Sequence, residues 1–165
     1  MPIEADSLTD FGDWVASRGA SLQRFAYLVS GSTTDAPDLV QDALIGALPR
    51  WASLARRGTA EAYVRRSIVN ASVSRWRSSH RFVSVADPVG PSVGDHAESA
   101  SDADEAWRLL VDLPPNQRAA VVLRFYEDLS FAQIALILDC TESTARSHVH
   151  RAVESVRTRL EREQS

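Results

Sequence analysis

Side chains able to read DNA bases cluster on one side of a segment near the end of the chain. At about 100° per residue of a helix, the hydroxyl, imidazole and guanidinium groups between residues 143 and 151 point away from an apolar stripe. This polar face comprises Ser143, Thr144, Ser147 and Arg151, with His148 and His150 on its flanks. Such groups can form hydrogen bonds with base edges, and arginine can also neutralise phosphates. The pattern indicates binding in a DNA major groove; the alternative is an ordinary helical hairpin with a solvated outer face.

Two helices joined by a tight turn must position this face. Ser130 can cap the first helix, and Gln133 three residues later completes a capping box. Asp139 tolerates the left-handed backbone of a tight turn, and Thr141 can cap the second helix. The buried stripe of the second helix is predicted to contain Ala145, Val149, Ala152, Val153, Val156 and Leu160. The spacing therefore predicts a helix-turn-helix.

Composition narrows the function classes. The 165 residues carry a net charge of −4, and all 18 basic residues are arginine. The single cysteine, Cys140, excludes an internal disulfide framework and a cysteine-based metal cluster. Because the chain has no glycine-rich phosphate loop and no catalytic signature, we expect no catalytic residue, metal or cofactor. It also lacks a signal-peptide pattern and an apolar run of membrane-span length, which predicts a cytoplasmic protein without a membrane span.

A shift in composition divides the chain. Residues 83–106 hold six acidic residues and no arginine, together with prolines and glycines that break regular structure. We therefore predict a flexible acidic linker over 83–104, between an N-terminal unit, 1–82, and a C-terminal unit, 105–165. No stretch alternates with the period of a strand. The expected fold is all-α, with two small helical domains.

Helix breakers predict several element boundaries. One or two helices should end at Gly31, the next should end at Pro49, and a third should run over about 59–77. In the C-terminal unit a Pro-Pro pair opens a helix that carries Phe125 among its apolar residues.

The helix before Pro49 has an unusual outer face. Asp38, Gln41, Asp42 and Ile45 lie off its buried stripe. An exposed isoleucine beside carboxylates indicates a partner surface. The alternative is a solvated face whose acidic residues complement the helix dipole.

The third helix is rich in arginine and carries a tryptophan. Its polar and aromatic residues are Arg65, Arg66, Asn70, Arg75, Trp76 and Arg77. Arginine neutralises phosphates and aromatic rings stack on unpaired bases, so single-stranded nucleic acid is one candidate ligand. The alternative is that the tryptophan is in the core and the arginines are solvated.

Taken together, these segments resemble a known family. A helix with DAPDLVQDAL is followed by YVRRSIVNASVSRWR, an acidic linker and LPPNQRAAVVLRFYEDLSFAQIALILDCTESTARSHVHRAVESVRTRL. This order resembles the extracytoplasmic-function (ECF) sigma factors of bacterial RNA polymerase, the small two-domain class. The resemblance extends from about Phe11 to Leu160, and its C-terminal block is the most specific part.

The resemblance implies a role for each motif. Docking on the clamp helices of the polymerase would involve Asp38, Leu39, Gln41, Asp42 and Ile45. Contacts near the −10 promoter element would involve Arg65, Arg66, Asn70, Arg75, Trp76 and Arg77. The −35 element would be read by Ser143, Thr144, Arg146, Ser147, His148 and Arg151. Core RNA polymerase, promoter DNA and an anti-sigma factor would be the partners, and the acidic linker would thread toward the active-site cleft. His148 stands where the family often has a basic residue, so we expect it to affect promoter preference.

Two other hypotheses compete with a sigma factor. A stand-alone helix-turn-helix regulator would explain residues 130–160 but would leave DAPDLVQDAL and the acidic linker without a role. A sigma-like interaction protein would keep the fold and lack promoter opening.

Overall fold

Helices form the regular structure of the residues that the structure describes. A computed structural model describes residues 4–82 and 102–165, and it contains no strand within those ranges, which confirms the all-α prediction. The helices are α1 (Ala5–Ser30), α2 (Asp35–Ala47), α3 (Trp51–Arg57), α4 (Ala60–Phe82), α5 (Asp102–Leu110), α6 (Pro115–Val121), α7 (Phe131–Leu138) and α8 (Glu142–Glu163).

The helix-breaking residues Gly31 and Pro49 lie where the sequence predicts that the first helices end. Gly31 ends α1 with a φ of 68°, and its N–H donates to the Tyr27 carbonyl at 2.7 Å, because glycine adopts the left-handed region without steric cost. Pro49 lies in a single 3-10 turn, Leu48–Arg50, that follows α2. Beyond it the chain forms α3, whose Trp51 is buried and donates to Asp10 Oδ2 at 2.9 Å.

The local signals of the helix-turn-helix are confirmed in α7 and α8. Ser130 Oγ accepts from the Gln133 N–H at 3.2 Å, and the Ser130 N–H donates to Gln133 Oε1 at 2.9 Å, which completes the capping box. Asp139 ends α7 with a φ of 54°. Thr141 Oγ1 accepts from the Thr144 N–H at 3.1 Å and begins α8. Each cap satisfies a backbone donor that the helix itself leaves free.

The two halves share one hydrophobic core. Helix α4 packs against α7, and α1 packs against α5 and α6. The Trp107 ring of α5 stacks on the Tyr27 ring of α1 at 6.2 Å and lies against Gly31. Because α5 begins at Asp102, it starts ahead of the predicted boundary at 105. The predicted linker, 83–104, otherwise lies outside the described residues.

Candidate nucleic-acid and polymerase interfaces

The outer face of α8 has the polar character that the sequence predicts. Ser143, Thr144, Ser147 and Arg151 are exposed, whereas Ala145 and the rest of the predicted stripe up to Ala152 pack toward α6 and α7. Exposed hydroxyls and a guanidinium on one helical face can reach base edges and phosphates of a duplex. The structure therefore brings these four residues together on one surface.

Two further α8 residues lie on opposite flanks of this surface. The Arg146 guanidinium carbon lies 4.6 Å from the centre of the Phe131 ring, which holds the exposed arginine against the start of α7. His148 is half-buried, and its Nδ1 is enclosed without a hydrogen-bond partner. Burial, together with the nearby Arg151 charge, lowers the pKa of His148. The neutral imidazole is therefore favoured near pH 7.

Helix α4 carries an exposed polar stripe. Arg66, Asn70 and Arg77 are exposed and fall within about 40° of one another around the helix axis. Trp76 is 40% exposed and, with Arg75, lines a cavity of about 130 Å³ between the two halves. Trp76 is therefore not a core residue, and phosphates and bases could contact this stripe.

Arg75 turns toward α2 rather than along the stripe. Its Nη1 lies 3.4 Å from Asp35 Oδ1, and its Nη2 lies 3.6 Å from Asp42 Oδ2. A predicted DNA contact and a predicted polymerase contact are thus ion-paired with each other. The Arg75 and Asp42 side chains are 39% and 68% exposed, so solvent screens the pair and it contributes little stability.

Arg65 is in the protein interior. It is 4% exposed, and its Nη2 donates to Glu61 Oε1 at 2.7 Å. Its Nη1 lies 2.8 Å from Glu127 Oε1, and its guanidinium carbon lies 5.0 Å from the centre of the Phe25 ring. In this arrangement Arg65 faces no solvent-accessible surface from which it could contact DNA.

The outer face of α2 matches the prediction at four of five positions. Asp38, Gln41 and Asp42 are exposed, and Ile45 is 61% exposed although it is a large apolar side chain. Leu39, by contrast, is 1% exposed and packs in the core. The Leu39 side chain therefore anchors α2 to the core and is not accessible to a partner protein.

Residues that join the two halves escaped the sequence analysis. Arg118 is buried and donates to the carbonyls of Leu110, Val111 and Leu113 and, across to α1, to the carbonyl of Val29 at 3.4 Å. Burial lowers its pKa. No sequence-local signal marks such a residue, because its acceptors are backbone atoms at helix ends distributed along the chain.

A second link between the halves is a tyrosine hydrogen bond. Tyr27 Oη donates to Asp104 Oδ1 at 2.7 Å. Burial and this carboxylate raise the pKa of Tyr27 to about 12. Tyr27 therefore remains a hydrogen-bond donor throughout the neutral pH range.

The described part of the chain offers no metal-ligand cluster of three or more His, Cys, Asp or Glu side chains. Within the same ranges, no helix is both long enough and apolar enough to cross a membrane.

Comparisons with known proteins match both halves. Residues 14–82 match the family model for sigma-70 region 2, and residues 103–156 match the model for sigma-70 region 4. Helices α2 and α4 lie within the first match, and most of α8 lies within the second. The two matches therefore include every candidate surface residue described above.

Individual relatives agree with these matches. The chain is 34% identical over 154 residues to an RNA polymerase sigma-E factor of Streptomyces avermitilis, covering 92% of this chain and 86% of the relative. It is 33% identical over 136 residues to the ECF RNA polymerase sigma factor SigM of Mycobacterium tuberculosis, covering 79% and 67%. Its fold matches the sigma factor RpoE, solved in complex with the anti-sigma factor NepR from Bartonella quintana, with a TM-score of 0.76, 28% identity and coverage of 92% and 97%. The chain belongs to the ECF family of RNA polymerase sigma factors.

Proposed function

We propose that the chain is a non-catalytic specificity subunit that acts in the cytoplasm, binds core RNA polymerase through α2 and reads promoter DNA through α4 and α8. The observation that carries this proposal is the exposed Ile45 set among carboxylates on α2, in the same chain as the polar α8 face. A protein that only bound duplex DNA would need α8 but not an acidic and apolar surface on another helix. The assignment of α2 and α4 to one set of contacts and α8 to another also agrees with the separate matches to sigma-70 regions 2 and 4.

Docking by α2 would combine apolar burial with charge complementarity. Ile45 would lose its exposed area to the polymerase, which stabilises a complex by roughly 25 cal/mol per Å² of apolar surface. Asp38, Gln41 and Asp42 would surround it with polar contacts. Leu39 contributes by holding α2 in place, since its side chain is in the core.

The docking proposal is tested by reversing one charge. Asp38 is suited to this test because it forms no ion pair with any described residue, whereas Asp42 is paired with Arg75. We expect Asp38→Arg to weaken binding of core polymerase at least tenfold in a pull-down or titration, since like charges across an interface are costly. Asp13→Arg makes the same charge change on an exposed position of α1 and should have little effect. Equal affinities of the two variants would refute docking through α2.

Recognition of the −35 element is assigned to α8. Ser143, Thr144, Ser147 and His148 would address base edges, and Arg146 and Arg151 would contact either bases or phosphates. His148 would use Nε2, because its Nδ1 is enclosed. A neutral imidazole in place of a cation would alter the promoter preference while leaving the docking of α8 unchanged.

Contacts near the −10 element are assigned to α4. Arg66, Asn70 and Arg77 supply an exposed stripe, and Trp76 supplies an aromatic surface on which an unpaired base can stack. Arg75 would reach DNA after leaving Asp35 and Asp42. Arg65 would reach it only after losing its ion pair with Glu127.

Transcription with reconstituted components tests the function as a whole. Core polymerase with the purified chain should give run-off transcripts from promoters selected out of a library, and no transcript from any library member would refute the sigma-factor proposal. A stand-alone regulator would instead bind specific duplex DNA tightly in a gel shift without polymerase. We further propose an anti-sigma factor as a partner, because the matched sigma factor of Bartonella quintana was solved with one.

A further inference from the structure

Two side chains on the outer face of α8 have a hydrogen-bond direction that the protein itself sets. Thr144 and His148 are four residues apart, so they lie about 6 Å apart along the helix and about 40° apart around its axis. Both belong to the N-terminal part of α8, and in a helix-turn-helix this part of the second helix contacts base edges in the major groove. The direction of their hydrogen bonds therefore affects which bases they can accept.

His148 is a hydrogen-bond donor toward DNA. Its Nδ1 is enclosed and has no hydrogen-bond partner among the described residues, so Nε2 is the ring nitrogen that can reach a ligand. A neutral imidazole carries its proton on one of the two nitrogens. A proton on Nδ1 would be a buried donor without an acceptor, which is tolerated less well than an unpaired acceptor, and the proton is therefore placed on Nε2. The charged ring would also donate from Nε2, so this direction does not depend on the protonation state.

The N-cap of α8 directs the Thr144 hydroxyl in the same sense. The Thr144 N–H donates to Thr141 Oγ1 at 3.1 Å, and the Thr141 hydroxyl donates to Thr144 Oγ1 at 2.9 Å. The Thr144 oxygen thus accepts a hydrogen bond from within the protein, and its own proton is left for an acceptor outside, since the side chain is exposed. Accepting one hydrogen bond makes a hydroxyl a stronger donor. The residue that begins α8 therefore polarises Thr144 toward donation.

Base edges differ in whether they can receive such hydrogen bonds. In the major groove guanine presents the acceptors N7 and O6, adenine presents N7, and thymine presents O4. Cytosine presents only its N4 amino group, which is a donor. A protein donor that faces cytosine leaves both groups without a partner, and such a mismatch lowers the affinity by about fivefold or more.

We propose that Thr144 and His148 form a donor pair that requires acceptor atoms on the −35 bases facing them and excludes cytosine from those positions. This inference rests on the proposed assignment of α8 to the −35 element. Ser143 and Ser147, on the same face, impose no such requirement, because a serine hydroxyl can rotate either to donate or to accept. The donor pair therefore determines which base is rejected, whereas the two serines adapt to the base that they meet.

The base preference of the holoenzyme tests the donor pair. Each −35 base pair of a promoter selected with the wild-type chain and core polymerase is replaced in turn by the other three, and the affinity of the holoenzyme for every fragment is measured. His148→Ala and Thr144→Val identify the base pair that each side chain faces, because discrimination there should disappear. Wild type should distinguish G·C from C·G at both of these base pairs by about fivefold or more. Equal affinities for the two orientations would overturn the proposal.

Reversal of the hydrogen-bond direction at His148 provides the sharpest readout. His148→Glu presents an acceptor, which pairs with the N4 amino group of cytosine, so the preference between G·C and C·G should invert at this base pair. Ser155→Glu adds the same charge at an exposed position farther along α8 and should keep the wild-type preference. An order of bases in His148→Glu that equals the wild-type order would overturn the proposal. If His148→Glu loses helical content by circular dichroism, His148→Gln takes its place and should abolish the preference, since glutamine both donates and accepts.

A change in the N-cap tests the second donor without altering the side chain that faces DNA. Thr141→Asp keeps an acceptor for the Thr144 N–H, but its carboxylate also attracts the Thr144 hydroxyl proton. The Thr144 oxygen then presents lone pairs to the DNA, and the preference at its base pair should shift toward cytosine. Thr141→Ser keeps both the cap and the donated proton and should match wild type. Equal base preferences of these two variants would overturn the donor pair at Thr144.

The same measurements separate the donor pair from the proposed function. A wild-type holoenzyme that discriminates among −35 bases, but whose order of bases survives His148→Glu, retains the sigma function and overturns the donor pair. Absence of discrimination by wild type at every −35 base pair would instead refute the assignment of α8 to this element, and the donor pair with it.

Discussion

Substitution of Gly31 by alanine tests the packing between the two halves. Gly31 has a φ of 68°, and a Cβ built on it would lie 2.8 Å from Trp107 Cε2 and 2.9 Å from Cζ2, with Nε1 closer still. The left-handed backbone costs an alanine about 1–2 kcal/mol, of which about 0.4–1 kcal/mol is offset by lower entropy of the unfolded chain. Displacing the Trp107 ring adds about 1–3 kcal/mol. We expect a total loss of about 2–4 kcal/mol in the free energy of unfolding.

Gly58 provides a matched control for the free-energy cost of placing alanine in the left-handed backbone conformation. It also ends a helix, its φ is 67°, and no atom lies within 4 Å of a Cβ built on it. Gly58→Ala should therefore lose only about 1 kcal/mol. Urea denaturation followed by circular dichroism measures both losses, and their difference isolates the contact with Trp107. In a Trp107→Ala background, the difference should disappear.

Equal losses for Gly31→Ala and Gly58→Ala would refute the reasoning. They would mean that Trp107 does not rest on Gly31 in solution. The packing of α5 against α1 would then be wrong as well, because Trp107 is the α5 residue that lies on Gly31.

Three further predictions concern single side chains. Ser130→Ala removes the N-cap of α7 and should lower the free energy of unfolding by about 1 kcal/mol in urea denaturation; an unchanged value would contradict the capping role. Arg118→Leu removes a donor from four backbone carbonyls, of which Val29 keeps Ser72 and Leu110 keeps the Leu113 N–H. The variant should therefore lower the free energy of unfolding by about 2–4 kcal/mol, mainly through the carbonyls of Val111 and Leu113. The pKa of His148 is lowered on folding, so the unfolded chain binds the proton more tightly, and stability should fall as pH drops below about 6.5. His148→Gln should remove this component of the pH dependence, and an identical profile in the variant would rule it out.

Local sequence signals predicted several helix ends, although α4 continues to Phe82, beyond the predicted end near residue 77, and α3 was not predicted. The caps at Ser130 and Thr141, the left-handed turn at Asp139 and the end of α1 at Gly31 depend on residues within one helical turn of each other. The exposed faces of α2 and α8 also followed from helical periodicity, because one side of each helix is buried. Such features are determined by short-range geometry, which a sequence displays directly.

Features set by packing between distant segments could not be predicted in the same way. Leu39 is buried because both α1 and α4 pack against α2. Arg65 is paired with Glu127, a residue of the other half that lies far away in the sequence. Phe125, grouped by sequence with the apolar residues of its helix, is 66% exposed. It lies in the π-helical turn Val122–Tyr126, where the helical period that the grouping assumed does not apply.

The pairing of Arg65 with Glu127 has a consequence for synthesis of the chain. Sixty-two positions separate the two residues, which a ribosome adding about 5–20 residues per second completes in about 3–12 s. During that interval the nascent N-terminal half holds Arg65 beside Glu61 and the Phe25 ring but without Glu127. Every newly made molecule therefore passes through a short period in which the carboxylate that pairs with Arg65 from the C-terminal half has not yet been synthesised.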